Sequence, residues 1–152
     1  MRISLSEIPQ SGLTVEGDIA PEEIDVHEVS FSIDDPIHLE FFLEVVDEYL
    51  IARGSYTARV RCTCDRCLKE FCRDRSRKDY LCGKEIGELA DETIDLTEGV
   101  VEDILLGLPL KVLCSEDCKG ICPYCGADLN GEECSCEPGP DISPFSELDK
   151  LL

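Results

Sequence analysis

Apolar and polar side chains alternate with a period of two along most of the first eighty residues, and only once does the period lengthen to that of a helix. Residues 3–8 and 13–19 carry short alternations interrupted by Pro9 and Gly12, and they read as edge strands. Ala20-Pro21-Glu22-Glu23 reads as a turn or a brief helical start. Val29, Phe31 and Ile33 alternate with Ser30 and Ser32 until Asp34-Asp35-Pro36 breaks the run. Over residues 37–50, Leu39, Phe41, Leu43 and Val45 alternate with mostly polar neighbours; a helix competes here, but the Phe, Val and Tyr content favours β. Gly54 introduces the clearest strand, with Tyr56, Ala58, Val60 and Cys62 on one face and Thr57, Arg59, Arg61 and Thr63 on the other. Residues 70–82 are expected to return antiparallel to it across a turn at Cys64–Cys67, leaving one face of the sheet wet.

Residues 83–93 read as an acidic loop. Asp95-Leu96-Thr97-Glu98 then fits a capping box, with Asp95 as N-cap and Glu98 three residues on. Leu96, Val100, Val101, Ile104, Leu105 and Leu108 recur at helical spacing until Pro109. That stripe is expected to pack on the sheet. The pattern predicts an α+β fold: an antiparallel β-sheet of about five strands, one main helix near 96–107 and a cysteine-rich C-terminal zinc module. Residues 1–113 form the β-rich domain, residues 114–136 a zinc-knuckle module packed on it, and residues 137–152 a tail. In the tail, Glu137-Pro138-Gly139-Pro140 is a linker, and Ser143-Pro144 opens a short helix or a frayed end.

The strongest chemistry lies between Cys114 and Cys136, where six cysteines fall within 23 residues. Cys122-Pro123-Tyr124-Cys125-Gly126 has the form of a zinc knuckle: two intervening residues let both sulfurs reach one tetrahedral ion at about 2.3 Å. The following glycine suits the tight turn. Cys134 and Cys136 return two more thiols after an Asn130-Gly131 turn signal. Upstream, Cys64-Asp65-Arg66-Cys67 repeats the spacing. The economical pairing is two sites, Cys122, Cys125, Cys134 and Cys136 in one, Cys64, Cys67, Cys114 and Cys118 in the other. Cys62 competes with Cys64 in the register of the first pair, and Cys72 and Cys82 are left over.

Other uses of eleven cysteines compete. A disulfide framework expects a secreted chain and an even count, whereas the N-terminus has no signal-peptide core. A redox C-x-x-C expects a strand–helix setting and one acidified thiol, which Arg66 beside Cys67 could supply. An iron–sulfur cluster takes the same ligands. Hairpin-borne pairs favour closed tetrahedral zinc, two ions in all.

A chain of 152 residues fits one domain with a small appended module. Its net charge of −20 opposes bulk nucleic-acid binding by counterion release and suits a basic partner. The charge is uneven: residues 53–78 hold nine basic and three acidic side chains. Arg59, Arg61, Arg66, Lys69, Arg73, Arg75, Arg77 and Lys78 are the candidate nucleic-acid contacts of this island, and the competing reading pairs them with acidic flanks. With no membrane-spanning stretch, a cytoplasmic protein is expected. His27 and His38 stand alone and read as surface or hydrogen-bonded histidines. No phosphate-cradling glycine loop, nucleophile elbow or small-molecule site is evident, and catalysis is not expected.

Three segments in this order resemble the bacterial YceD-like family. They are Cys64-Asp65-Arg66-Cys67-Leu68, the run from Ile94-Asp95-Leu96 through Val101-Glu102-Asp103-Ile104-Leu105-Leu106-Gly107-Leu108-Pro109, and Leu113-Cys114 through Cys118-Lys119-Gly120-Ile121-Cys122-Pro123-Tyr124-Cys125-Gly126. Family members are associated with accumulation of the large-subunit (23S) ribosomal RNA. The resemblance covers residues 56–152 well and the N-terminal third by general pattern. It implies a non-enzymatic ribosome biogenesis factor that binds a ribosomal protein or pre-ribosomal RNA. It also sets Cys64, Cys67 and Cys118 nearer the family's common element than the distal four cysteines. The other readings are an acidic, zinc-stabilised adapter or chaperone for a basic protein and a thiol–disulfide oxidoreductase.

Overall fold

The computed structural model describes residues 1–24 and 31–136. Its elements in chain order are β1 (Arg2–Ser4), β2 (Leu13–Ile19), β3 (Phe31–Ser32), β4 (Ile37–Val46), β5 (Tyr49–Thr63), β6 (Glu70–Glu85), β7 (Thr93–Asp95) and the helix α1 (Leu96–Leu106). Short 3-10 turns follow β1, β2 and β6. The main sheet is five-stranded and antiparallel, ordered β2-β4-β5-β3 with β6 on the opposite edge of β5. β1 and β7 form a separate two-stranded ribbon that ties the start of the chain to the start of α1. The α+β class, the sheet size and the single main helix are as the sequence predicts. The readings that include Val29, Ser30 and His27, and the whole of 137–152, lie outside the described residues.

Three details differ from expectation. Residues 3–8 are not one strand, because β1 ends at Ser4 and Leu5–Glu7 coils into a 3-10 turn opened by a capping box between Ser4 and Glu7. Residues 37–50 are not one strand; Val46 pairs with Tyr49 across a two-residue turn at Asp47-Glu48. Asp47 takes a φ of 54°, a conformation its short polar side chain tolerates. The strand expected to start at Gly54 therefore begins at Tyr49. The loop over residues 83–93 is also shorter, because β6 continues to Glu85 and β7 starts at Thr93.

Alternation builds the core. Ile37, Leu39, Phe41 and Leu43 of β4 and Leu50, Ala52, Tyr56, Ala58 and Val60 of β5 are buried on one face, with Leu96, Val100, Val101 and Ile104 of α1 in the same cluster. Each large side chain buried there contributes roughly 1.5–3 kcal/mol. Tyr80 of β6 stacks on Phe41 at 5.0 Å and meets Tyr56 edge-on at 5.9 Å. Asp95 caps α1 through the Thr97 N–H at 3.0 Å, while Glu98 lies 3.6 Å from Lys84.

One irregularity sets the charge pattern. Gly54 pairs with Tyr80 but Tyr56 pairs with Arg77, so β6 carries one extra residue at this point. Such a bulge reverses which side chains face the core beyond it. Tyr80 is on the core face above the bulge. Below it, Arg77, Arg75, Arg73 and Phe71 lie opposite Tyr56, Ala58, Val60 and Cys62, on the helix side of the sheet.

Candidate metal centres

The first centre grows out of the β5–β6 connection. Cys64 donates its N–H to the Lys69 carbonyl and its own carbonyl accepts from Leu68 N–H, both at 2.9 Å, which folds Cys64–Cys67 into a knuckle. Asp65 recruits the segment after α1: its N–H donates to the Val112 carbonyl at 2.8 Å and its carboxylate accepts the Val112 N–H at 2.6 Å. Two residues later Cys114 arrives beside Cys67, their sulfurs 3.6 Å apart, and Cys118 lies 3.8 Å from Cys64. Arg66 donates to the Cys118 carbonyl at 2.7 Å. The four sulfurs of Cys64, Cys67, Cys114 and Cys118 lie within 4.8 Å of one another. Cys64, Cys67 and Cys118 are buried, with Phe71, Leu113 and Ile121 packed round them.

The second centre repeats the turn. Cys122 N–H donates to the Ala127 carbonyl at 2.8 Å, and Gly126 N–H to the Cys122 carbonyl at 2.9 Å. Cys134 approaches within 3.3 Å of Cys122 and 3.4 Å of Cys125. The sulfurs of Cys122, Cys125, Cys134 and Cys136 again lie within 4.8 Å of one another, but Cys125 and Cys136 are exposed. The two knuckles meet at Gly120. Ile121 N–H donates to the Arg66 carbonyl at 3.1 Å, and a Cβ on Gly120 (φ 80°) would stand 2.9 Å from that oxygen. Only glycine accommodates both the turn and the approach.

Both clusters fit a tetrahedral ion. Four sulfurs at about 2.3 Å from a centre stand about 3.8 Å from each other, close to the spacings seen here. All eleven cysteines are free thiols. Cys62 (buried), Cys72 (exposed) and Cys82 (half-buried) stand outside both tetrads. Backbone N–H groups point at the sulfurs, from Cys114 to Cys64 at 3.4 Å, Tyr124 to Cys122 at 3.4 Å and Cys136 to Cys134 at 3.3 Å.

Those donors prepare thiolates. Burial works to raise the Cys64 thiol, but the backbone N–H groups of Cys114, Cys67 and Arg66 outweigh it and bring it down to about 6. The N–H groups of Cys125 and Tyr124 bring Cys122 down to about 6 as well. The neighbouring sulfurs push in the other direction. Cys67 is foremost in driving Cys114 up to about 12, and Cys134 does the same to Cys136. Each cluster thus concentrates ligand charge that a divalent cation would relieve.

The basic island is not one patch. Arg59 lies 3.9 Å from Asp74, and Arg61 bridges Asp34 at 2.6 Å and Glu70 at 3.7 Å on the outer face. Arg66 and Lys69 are turned onto the cysteine module, Lys69 pairing with Asp128. Arg77 and the Tyr56 hydroxyl both bond Asp103 of α1, and Arg75 reaches Gly107 at the helix end. Arg73 is half-buried on that same helix side, and Lys78 is exposed at the bulge. His38 hydrogen-bonds Asp18 at 2.9 Å.

Three supporting roles escaped the sequence reading, those of Asp65, Asp128 and Asn130. The signal for the last two was present in Asp128-Leu129-Asn130-Gly131, where the Asp128 carboxylate accepts the Asn130 N–H at 3.0 Å. What the turn would face could not be read from it.

Comparison with known proteins gives a consistent picture. The family profile described as "Large ribosomal RNA subunit accumulation protein YceD" matches residues 76–152, which hold α1 and six of the eight clustered cysteines, with Cys64 and Cys67 upstream. An uncharacterised protein of Mycobacterium tuberculosis is 31% identical over 109 residues, covering 63% of this chain and 53% of that protein. One from Mycobacterium leprae is 29% identical over 107 residues, covering 62% of this chain and 49% of its own length. The chain thus spans about half the length of these curated relatives. A maize protein named large ribosomal RNA subunit accumulation protein YCED homolog 1, chloroplastic, is 40% identical over 50 residues, covering 32% of this chain and 17% of that protein. No solved structure matches the chain.

Proposed function

The chain belongs to the YceD family of large ribosomal RNA subunit accumulation proteins, and on that premise we propose that it is a non-enzymatic, zinc-binding ribosome biogenesis factor. It supports accumulation of 23S ribosomal RNA in the cytoplasm by holding a ribosomal protein or pre-ribosomal RNA. Zinc at Cys64, Cys67, Cys114 and Cys118 would lock the β5–β6 turn to the segment after α1, and zinc at Cys122, Cys125, Cys134 and Cys136 would lock the module beyond it. Ions held this way supply folding free energy outright. The division into a β-rich body (1–113) and a module (114–136) belongs to the same proposal.

One observation favours a basic protein over RNA as the direct partner. Four of the eight basic candidates, Arg59, Arg61, Lys69 and Arg77, are paired with Asp34, Glu70, Asp74, Asp103 and Asp128, which cuts the positive charge the 53–78 island offers within a chain of net charge −20. Such a surface attracts a cationic chain and repels phosphates. RNA contact through Arg59, Arg61, Arg66, Lys69, Arg73, Arg75, Arg77 and Lys78 is the competing form. Depletion of the protein followed by profiling of ribosomal RNA tests the role, with crosslinking of the zinc-loaded chain to ribosomal particles testing the partner. The expected result is a selective fall in 23S RNA and salt-sensitive crosslinks to small basic ribosomal proteins. Unchanged 23S RNA rejects the role, and crosslinks dominated by RNA transfer the contact to the arginine set.

A further inference from the structure

Resting on the reading of the two clusters as zinc centres, we propose that Asn130 couples them, so that retention of zinc by the first centre depends on occupancy of the second. Asn130 belongs to the loop between Cys125 and Cys134 of the second centre, yet its Nδ2 donates to Cys118 Sγ of the first at 3.5 Å. Its Oδ1 accepts the Lys119 N–H at 2.8 Å, in the link that joins Cys118 to Cys122. The same Nδ2 donates to Asp128 Oδ1 at 2.7 Å. This pattern fixes the orientation of the amide: reversing it would set an oxygen against both a carboxylate and a sulfur and a donor against an N–H.

The loop has few other holds on the first centre. Leu129 N–H donates to the Gly120 carbonyl at 3.0 Å, and Lys69 pairs with Asp128. Gly131 and Glu132 N–H close the turn on the Asp128 carbonyl at 3.2 and 2.9 Å, and beyond them the chain is tied back where Cys134 and Cys136 cluster with Cys122 and Cys125. A zinc ion there closes the loop and presents the carboxamide; without it the loop ends are released and the N–H···S bond loses its geometry. Donors to ligand atoms orient them and moderate their charge, and losing one typically lowers metal affinity about 10–100-fold. The second centre, with two exposed cysteines and one half-buried, opens first to a competing chelator, while the first has three buried cysteines and one exposed. Coupling of this kind is reciprocal, so the first ion strengthens the second by the same factor.

The test is a thermodynamic cycle on the full chain, with zinc affinities measured by competition against a chromogenic chelator. Asn130→Leu keeps the size and removes the donor; Cys125→Ser with Cys136→Ser empties the second centre. Each alone is expected to lower first-centre affinity about 10–100-fold, and Asn130→Leu added to the serine pair is expected to lower it no further. The amide fingerprint of β5 and β6 reports folding in every variant, and Cys136→Ala alone replaces the serine pair if that fingerprint is lost. Equal first-centre affinity in wild type and Asn130→Leu overturns the coupling, as does a full additive loss in the combined variant. A wild-type chain that binds no zinc overturns both the coupling and the zinc reading beneath it; two zinc ions bound independently overturn the coupling alone.

Discussion

Leu68 stands in the first knuckle where Gly126 stands in the second. Each follows the second cysteine of its C-x-x-C, each donates its N–H at 2.9 Å to the carbonyl of the first, and each has a left-handed backbone, with φ of 60° and 76° respectively. Left-handed φ costs a residue with a Cβ about 1–2 kcal/mol. Leu68 bears that cost with its side chain 62% exposed, so it gains little packing in return. The geometry of the centre imposes the conformation.

The two exchanges therefore act in opposite directions. Leu68→Gly is expected to stabilise the zinc-loaded chain by roughly 0.5–1 kcal/mol, after subtracting the added unfolded-state entropy of glycine. Gly126→Ala is expected to destabilise it by roughly 0.5–1 kcal/mol, the same strain less the same entropy difference. Denaturant unfolding at fixed free zinc measures both, and a loss of stability in Leu68→Gly contradicts the shared-turn account.

Asp103 holds α1 to the sheet through two partners. It accepts from the Tyr56 hydroxyl and from Arg77, and burial together with the Asp103 carboxylate raises Tyr56 well above the usual tyrosine range. Asp103→Ala leaves the part-buried hydroxyl without its acceptor, an expected loss of about 1–3 kcal/mol. Thermal unfolding of the zinc-loaded chain, with cysteine ligation intact, is the check; an unchanged midpoint rejects the role.

Zinc retention should fall steeply with acid, and in a set order. Thiols must shed their protons to ligate. Cys67 and Cys114 in the first centre and Cys134 and Cys136 in the second have raised values, so they are protonated in the metal-free chain at neutral pH. At least two protons leave as each ion binds, and affinity drops about 100-fold or more per pH unit. Cys64 and Cys122, lowered to about 6, are already ionised at neutral pH and join only when the pH falls through 6, where the slope should steepen. Chelator competition between pH 5 and 8 measures this; a flat profile contradicts the thiolate assignment.

The outer-face ion pairs should matter little to stability. Arg61 is half exposed beside Asp34 and Glu70, so Arg61→Gln is expected to change unfolding by about 0–1 kcal/mol. It should also leave crosslinking to ribosomal particles unchanged if a basic protein is the partner. A marked fall in RNA crosslinks would favour phosphate contact by this face.

What could be read in advance was what repeats locally. Tyr56, Ala58, Val60 and Cys62 announce their face because alternation along one strand needs no partner. The two cysteine tetrads follow from spacing and count, although Cys64 and Cys118 are far apart in the chain. The division of the basic island was hidden, because it depends on a bulge in β6 that exists only in the pairing with β5. The Asp47-Glu48 turn was hidden by alternation that runs through it without a glycine or proline. The ribbon of Arg2–Ser4 with Thr93–Asp95 joins segments with no local signal of each other. Asn130 announced a turn but not the sulfur it serves.

Metal content of the untagged chain, measured by elemental analysis alongside its unfolding curve, bears most directly on the central claim. Two zinc ions per chain are expected, with one lost in Cys125→Ser/Cys136→Ser and cooperative unfolding abolished or sharply weakened when both are removed. A chain that carries no metal and still unfolds cooperatively at the same midpoint would contradict it.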